Sequence, residues 1–375
     1  MAGVGRQRPL GIGTQIDTEL MSHRADSEER LGFFPEDLAS PGAGSSRVFG
    51  HLSRLTGEFG LYEHAEYDRP RLDHGYTTDD NARALVVLAP VPARERPVTY
   101  ERALNFVVRG RVPFGWHNRM SVGGVWRDRR GPDDAHGRAV WGLGVALGHG
   151  EADDGAATAY LAGLDLRSPH LRALSYAVLG AVAARRSEVL AAESDAFLDR
   201  LARRLSRPQR RTWPWPEPRL TYANARIPQA LIELGDSIGD PGLVDDGLEL
   251  LAWLREIETH RGLFSFTPVG GRGPGDRSPA FDQQPIEAWA MADACLTAFR
   301  VDGGSEWSLG VGAAARWFLG DNDNGTALYD PLTGAGFDGL HEAGRNRNRG
   351  AESTLSALGA MAAWDLAALP TVGIT

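Results

Sequence analysis

The stretch from His74 to Leu85, HGYTTDDNARAL, sets two adjacent carboxylates, Asp79 and Asp80, beside Asn81 and Arg83 where an apolar helical run begins. Such carboxylates can exchange protons with a substrate, accept hydrogen bonds from hydroxyl groups or ligate a hard cation. Each also has a plainer reading. An aspartate or asparagine ahead of a helix caps it, contributing about 1 kcal/mol, and this reading covers Asp79, Asp133 and Asn348. Asp80 and Arg83, three apart, also read as an intrahelical ion pair.

Similar clusters recur along the chain. Besides His74 and Tyr76 they comprise Asp133, Asp134, His136 and Arg138, then Trp213, Trp215, Glu217, Tyr222, Asn224 and Arg226, then Asp282, Gln283, Gln284 and Glu287, and finally Asp338, Asn346, Asn348, Glu352 and Ser353. Capping does not account for Glu287 or Glu352, which fall inside helices whose other faces are apolar, where a carboxylate needs a cavity or a partner. Five of the ten tryptophans, Trp116, Trp126, Trp213, Trp215 and Trp289, lie in or beside these polar segments. A sugar asks for this mixture, because its C–H face stacks on an aromatic ring while its hydroxyls take hydrogen bonds from amides and carboxylates. The plainer reading is that the large rings plug the core. The run TWPWPEP is the best exception, since its prolines fix two tryptophans ahead of Tyr222.

The elements that must position these residues are helices. From about Arg47 onward apolar residues recur at helical spacing, and the segments fall into two alternating sets of six. One set, including VFGHLSRLTGEFG and LVDDGLELLAWLREI, is amphipathic with a charged face. The other, including DDNARALVVLA and QQPIEAWAMADACLTAF, is rich in alanine and glycine, with polar residues gathered at its front end. Small residues let helices pack closely on several sides, so the second set forms an inner ring and the first an outer one. The expected fold is an all-α (α/α)6 barrel, with the clusters collected at one mouth by the starts of the inner helices. A superhelical stack of hairpins is the alternative that periodicity leaves open. Residues 1–44, rich in Gly, Arg, Asp and Ser, are expected to form a flexible or surface-draped leader, and 45–375 a single barrel domain.

Composition removes several functions. The net charge of −9 argues against nucleic acid or an anionic membrane as partner. All 40 basic residues are arginine, which excludes a lysine Schiff base and a phosphate loop ending in Gly-Lys. The lone Cys295 reads as a small core residue and fits a reducing, cytoplasmic setting; no signal segment or membrane span is apparent. No cofactor or metal is expected, because the aspartate pairs lack the spacing of a calcium loop and the histidines that of a zinc site.

GYTTDDNARAL, DDAHGRAVWGLG, WPWPEPRLTYANARIPQALIELG, FDQQPIEAWAMADACL and NRGAESTLSALGA, in that order, resemble a bacterial family of six-hairpin glycosidase-like proteins, over about residues 50 to 367. Members occur attached to or near carbohydrate-active enzymes such as glycosyltransferases and mannoside phosphorylases. The resemblance implies an (α/α)6 barrel, a sugar-sized cleft, an oligosaccharide or glycoside substrate, a possible glycosyltransferase partner, and inverting hydrolysis by two carboxylates. Two positions depart from the pattern: Ala223 stands where an acidic residue is expected, and Arg349 where glutamine is.

Inverting cleavage needs an acid and a base roughly 6.5–9.5 Å apart, too far for sequence neighbours. Asp282 is therefore expected as general acid and Glu352 as general base, with Asp80 a sugar ligand or a substitute for either. Three rivals remain: a non-catalytic sugar-binding or scaffold partner of a glycosyltransferase, an isoprenoid cyclase using the aspartate pair, and a sugar epimerase or isomerase with His74 and His136 as bases.

Overall fold

A computed structural model of the chain describes residues 48–150, 153–205 and 212–369, so the expected leader lies outside the described residues. Among the described residues twelve α-helices follow one another: α1 (Gly50–Arg54), α2 (Thr78–Leu88), α3 (Thr99–Arg109), α4 (Asp133–Gly148), α5 (Asp154–Gly163), α6 (Leu171–Ala184), α7 (Ala191–Ala202), α8 (Arg226–Ile238), α9 (Pro241–Ile257), α10 (Pro285–Asp302), α11 (Ser305–Leu319) and α12 (Ala351–Ala368). The even-numbered helices are the alanine-rich set. Each packs on the next, α2 on α4, α4 on α6, α6 on α8, α8 on α10 and α10 on α12, and α12 returns to α2. That last contact closes the ring and excludes the open stack. The odd-numbered helices lie outside, against their hairpin partners.

Small residues set the spacing of the inner ring, as the α4–α6 pair shows. A Cβ on Gly144 would fall 2.1 Å from the Gly180 carbonyl oxygen, and one on Gly180 would fall 2.4 Å from that of Val140. Backbones this close exclude any side chain between them. The core is filled by large rings. Trp141 stacks on Tyr176 at 5.4 Å and on Trp289 at 5.7 Å, and the Arg226 guanidinium lies 4.7 Å from both tryptophans.

The first outer helix is far shorter than its apolar pattern predicts. After Arg54 the chain turns, with Gly57 N–H donating to the Gly60 carbonyl at 2.8 Å. A Cβ on Gly57 would lie 2.4 Å from the Tyr76 hydroxyl, so packing against that ring overrides the helical period. The expected caps also differ. Thr77, not Asp79, caps α2, its hydroxyl accepting from Asp80 N–H at 3.2 Å; Pro132 and Gly350 occupy the cap positions of α4 and α12, so Asp133 and Asn348 do not.

Among the described residues twelve two-residue strands pair into six short antiparallel ladders, each strand in a connection leading from an outer helix to an inner one. Five are hairpins; in the sixth, β3 (Tyr76–Thr77) pairs with β6 (Arg119–Met120), tying the loops ahead of α2 and α4 together. Among the described residues no helix is long and apolar enough to cross a membrane.

Candidate functional site

The ring brings the predicted clusters to the end where the inner helices begin. At the starts of α2 and α12, Arg83 bonds Asp80 at 2.7 Å and Glu352 at 2.6 Å, a carboxylate–guanidinium–carboxylate bridge between the first and sixth inner helices. Thr77 donates its hydroxyl to Asp80 at 2.6 Å. Burial pushes the Asp80 carboxyl up to about 6; the nearby Glu352 charge adds to this and Arg83 opposes it. Asp79 goes the other way. Burial would raise its carboxyl too, but Arg138 at 2.8 Å, Arg83 and the Asn118 amide at 3.0 Å hold it below the usual range. Two carboxylates adjacent in sequence are thus driven apart in acidity by their partners.

Arg138, on α4, also reaches Asp134 at 3.5 Å and donates to the Tyr176 hydroxyl at 3.2 Å. Tyr222, from the loop before α8, donates its hydroxyl to Asp134, so it bridges to the α4 side of the mouth. Its ring lies 4.8 Å from the Arg172 guanidinium. Arg172 binds Glu217 through both carboxylate oxygens, at 2.9 and 2.7 Å, and donates to the Asn224 amide oxygen at 3.0 Å. Arg172 and Tyr176 begin the third inner helix, which yielded no candidate in the sequence. The signal was present: an arginine at the front of an alanine-rich helix poses the same question as Glu287.

Glu287 holds the loop before α8. It accepts from the N–H of Ala223, and from the N–H and side-chain amide of Asn224, each at 3.0 Å. Burial, with the Glu258 charge, pushes its carboxyl up to about 8 despite these donors. Ala223 adopts a left-handed φ of 45°, so the position expected to be acidic supplies a backbone donor instead. Arg349 reaches toward Asp330, 3.7 Å away, with its guanidinium 4.6 Å from the Phe337 ring.

Asp282, at the start of α10, is half exposed, with His341 Nε2 3.7 Å from its carboxylate. Gln284 next to it is partly exposed, while Gln283 is enclosed, its amide donating to Asp323 at 2.6 Å and accepting from Phe266 N–H at 3.1 Å. Asp338 accepts from Gly350 N–H at 2.6 Å ahead of α12, and burial raises its carboxyl. Asn348 accepts from Tyr67 N–H at 3.0 Å, and His74 meets His64 at 2.8 Å.

Other expected ligands stand elsewhere, and for them the structure corrects the sequence reading. His136 is buried, with Nε2 on the Gly163 carbonyl at 2.9 Å, and burial lowers its pKa, so it has no access to a sugar as a base. Trp215 is 4% exposed and stacks on Trp253; Tyr76 is fully enclosed and stacks on Tyr62 at 4.4 Å. Trp116, Trp289 and Arg226 are core, and Asn81 is enclosed, accepting from Leu61 N–H at 2.9 Å. Trp213 and Trp126 keep partial exposure, Trp213 edge-on to Trp253 and Trp126 stacked on His117 at 4.8 Å. Tyr222, 41% exposed, presents an aromatic ring at the mouth.

No protein-family profile and no curated protein sequence matches the chain. Solved structures do, at the level of fold. The chain is similar to a D-mannose isomerase, with 12% identity and a TM-score of 0.62 over 90% of this chain and 100% of the other. It is similar to a sugar epimerase from a ruminal bacterium, with 9% identity and a TM-score of 0.61 over 85% and 96%. A third likeness is to an α-1,6-mannanase of Salegentibacter sp. HEL1_6, in complex with a mannotetrose, with 12% identity and a TM-score of 0.54 over 86% and 97%. That mannanase is an inactive variant in which two adjacent aspartates are replaced by alanine. The fold is the (α/α)6 six-hairpin barrel, and the resemblance to six-hairpin glycosidase-like proteins holds at that level.

Proposed function

We propose that the chain is a carbohydrate-active enzyme that hydrolyses a glycosidic bond at this mouth. The observation that carries the reading is the Asp80–Arg83–Glu352 bridge, because it joins carboxylates from the first and last inner helices at the rim where Asp282 opens the adjacent α10. Neighbouring helices pack about 8–10 Å axis to axis, so side chains rooted at the starts of α10 and α12 suit the roughly 6.5–9.5 Å that an inverting pair requires. Asp282 is assigned the acid, Glu352 the base, and Arg83 orients Glu352. Tyr222 offers the sugar a ring face. The structural similarity to a mannanase that is inactive without two adjacent aspartates adds weight to Asp79 and Asp80 as sugar ligands or stand-ins.

A second reading, sugar epimerisation or isomerisation, is favoured by one contact. His341, 3.7 Å from Asp282 at the rim, is a better placed base than either histidine singled out from the sequence. One experiment separates the two: purified protein is incubated in heavy water with mannosides, glucosides and arabinosides while NMR follows the anomeric signals. Hydrolysis releases an inverted anomer without deuterium at carbon, whereas epimerisation incorporates deuterium beside the carbonyl. Asp282→Asn and Glu352→Gln each retaining wild-type turnover on a confirmed glycoside would remove the assignment.

A further inference from the structure

A cleft of 640 Å³ runs along the outside of the barrel between α5 and α7, and the mouth chemistry makes no use of it. Leu161, Leu164 and Phe197 give it an apolar wall; Arg167, Arg200 and Arg204 line it with charge. Asp165 and Glu193 also line it, so three cations face two anions. Yet among the described residues no carboxylate lies within ion-pair distance of any of the three arginines. Arg200 and Arg204 instead donate to backbone carbonyls, Arg200 to Leu164 and Arg204 to Ser168 at 3.1 Å, which leaves each guanidinium further N–H groups to offer.

Several arginines elsewhere in the structure are neutralised. Arg83, Arg138, Arg172 and Arg226 each meet a carboxylate, as the surplus of acids in a chain of net charge −9 allows. The cleft reverses that balance, since Arg167, Arg200 and Arg204 outnumber Asp165 and Glu193 along its lining. Burial, then the repulsion of Arg167 and Arg204, lowers the Arg200 pKa, and an anion placed among them would relieve that repulsion.

We propose that this cleft binds a small molecule bearing phosphate, with the phosphate on Arg167, Arg200 and Arg204 and its organic body against Leu161 and Leu164. Guanidinium groups grip phosphate through paired N–H donors, and 640 Å³ suits a ligand of nucleotide size. The inference stands apart from the reading of the mouth.

The test is calorimetric titration of the full chain, in about 0.15 M chloride to screen diffuse attraction, with inorganic phosphate, pyrophosphate and a nucleoside diphosphate. Saturable binding is expected, tighter for the nucleoside diphosphate than for pyrophosphate; equal binding of the two overturns the seat given to the organic body on Leu161 and Leu164. Arg167→Glu should weaken it about tenfold or more, since charge-assisted bonds are lost and repulsion gained. Arg167 makes no hydrogen bond among the described residues, so this variant keeps the fold even where Arg200→Gln, which frees a backbone carbonyl, does not. Absence of saturable binding by all three probes at millimolar concentration, or binding unchanged by Arg167→Glu, overturns the proposal.

Discussion

Ahead of four of the inner helices the connections run long: residues 55–77 before α2, 110–132 before α4, 258–284 before α10 and 320–350 before α12, whereas α6 follows after 164–170. The four long ones carry all twelve short strands of the described residues. At the opposite end α8 passes to α9 through Gly239 and Asp240 alone, and α10 to α11 through Gly303 and Gly304. Left-handed glycines end these helices, at φ 70° and 78°, and Asp240 caps α9 at 3.2 Å with Pro241 following. One end fixes helix axes with minimal chain, and the other spends chain on placing side chains. A rigid scaffold with elaborated loops on one face is the usual way to hold polar groups in position without loosening the core.

That contrast can be broken at either end, and the largest effect is expected at the mouth. Glu352→Gln and Asp282→Asn should each lower kcat by about 100-fold or more on the confirmed glycoside, with the thermal midpoint nearly unmoved. Loss of midpoint with retained kcat would make them structural. Glu287→Ala should reverse the pattern, costing about 3–5 kcal/mol by leaving buried N–H donors of Ala223 and Asn224 without an acceptor, as denaturant titration would show.

Asp80 gives a pH signature. Its folded value of about 6 lies above the ordinary 3.8, so between these the native state keeps a proton that the unfolded chain has released. Stability should therefore fall as pH rises through that window, by up to about 3 kcal/mol from this group. Asp80→Asn should flatten that slope in melting temperatures taken from pH 3.5 to 7. At the far end the effect is smallest: Asp240→Ala should cost about 1 kcal/mol through the lost cap and leave turnover unchanged. A change in turnover would mean that the two ends are coupled.

The inner and outer helices were legible because alanine-rich and amphipathic runs alternate, and the contact of α12 with α2 settles the ring that periodicity left open. Spacing could not show where the first outer helix stops, since Gly57 turns under a ring nineteen residues on in the chain, Tyr76. Glu287 and Glu352 were singled out because a charge in an apolar helix demands a partner. Arg172 obeys the same rule and was missed, having no neighbouring acid in sequence; Glu217 comes to it from 45 residues away. Tryptophans were overvalued for a related reason. Proximity to polar residues in sequence does not say which way a ring faces, and Trp116, Trp215 and Trp289 face the core.

Arg83 and Glu352 sit on the first and last inner helices, so their bridge is also the seam of the barrel. During synthesis no nascent chain lacking α12 can hold this pair, however well its earlier hairpins have folded. Competence would then arrive only as the last hairpin docks, and the appearance of activity would time that closing event.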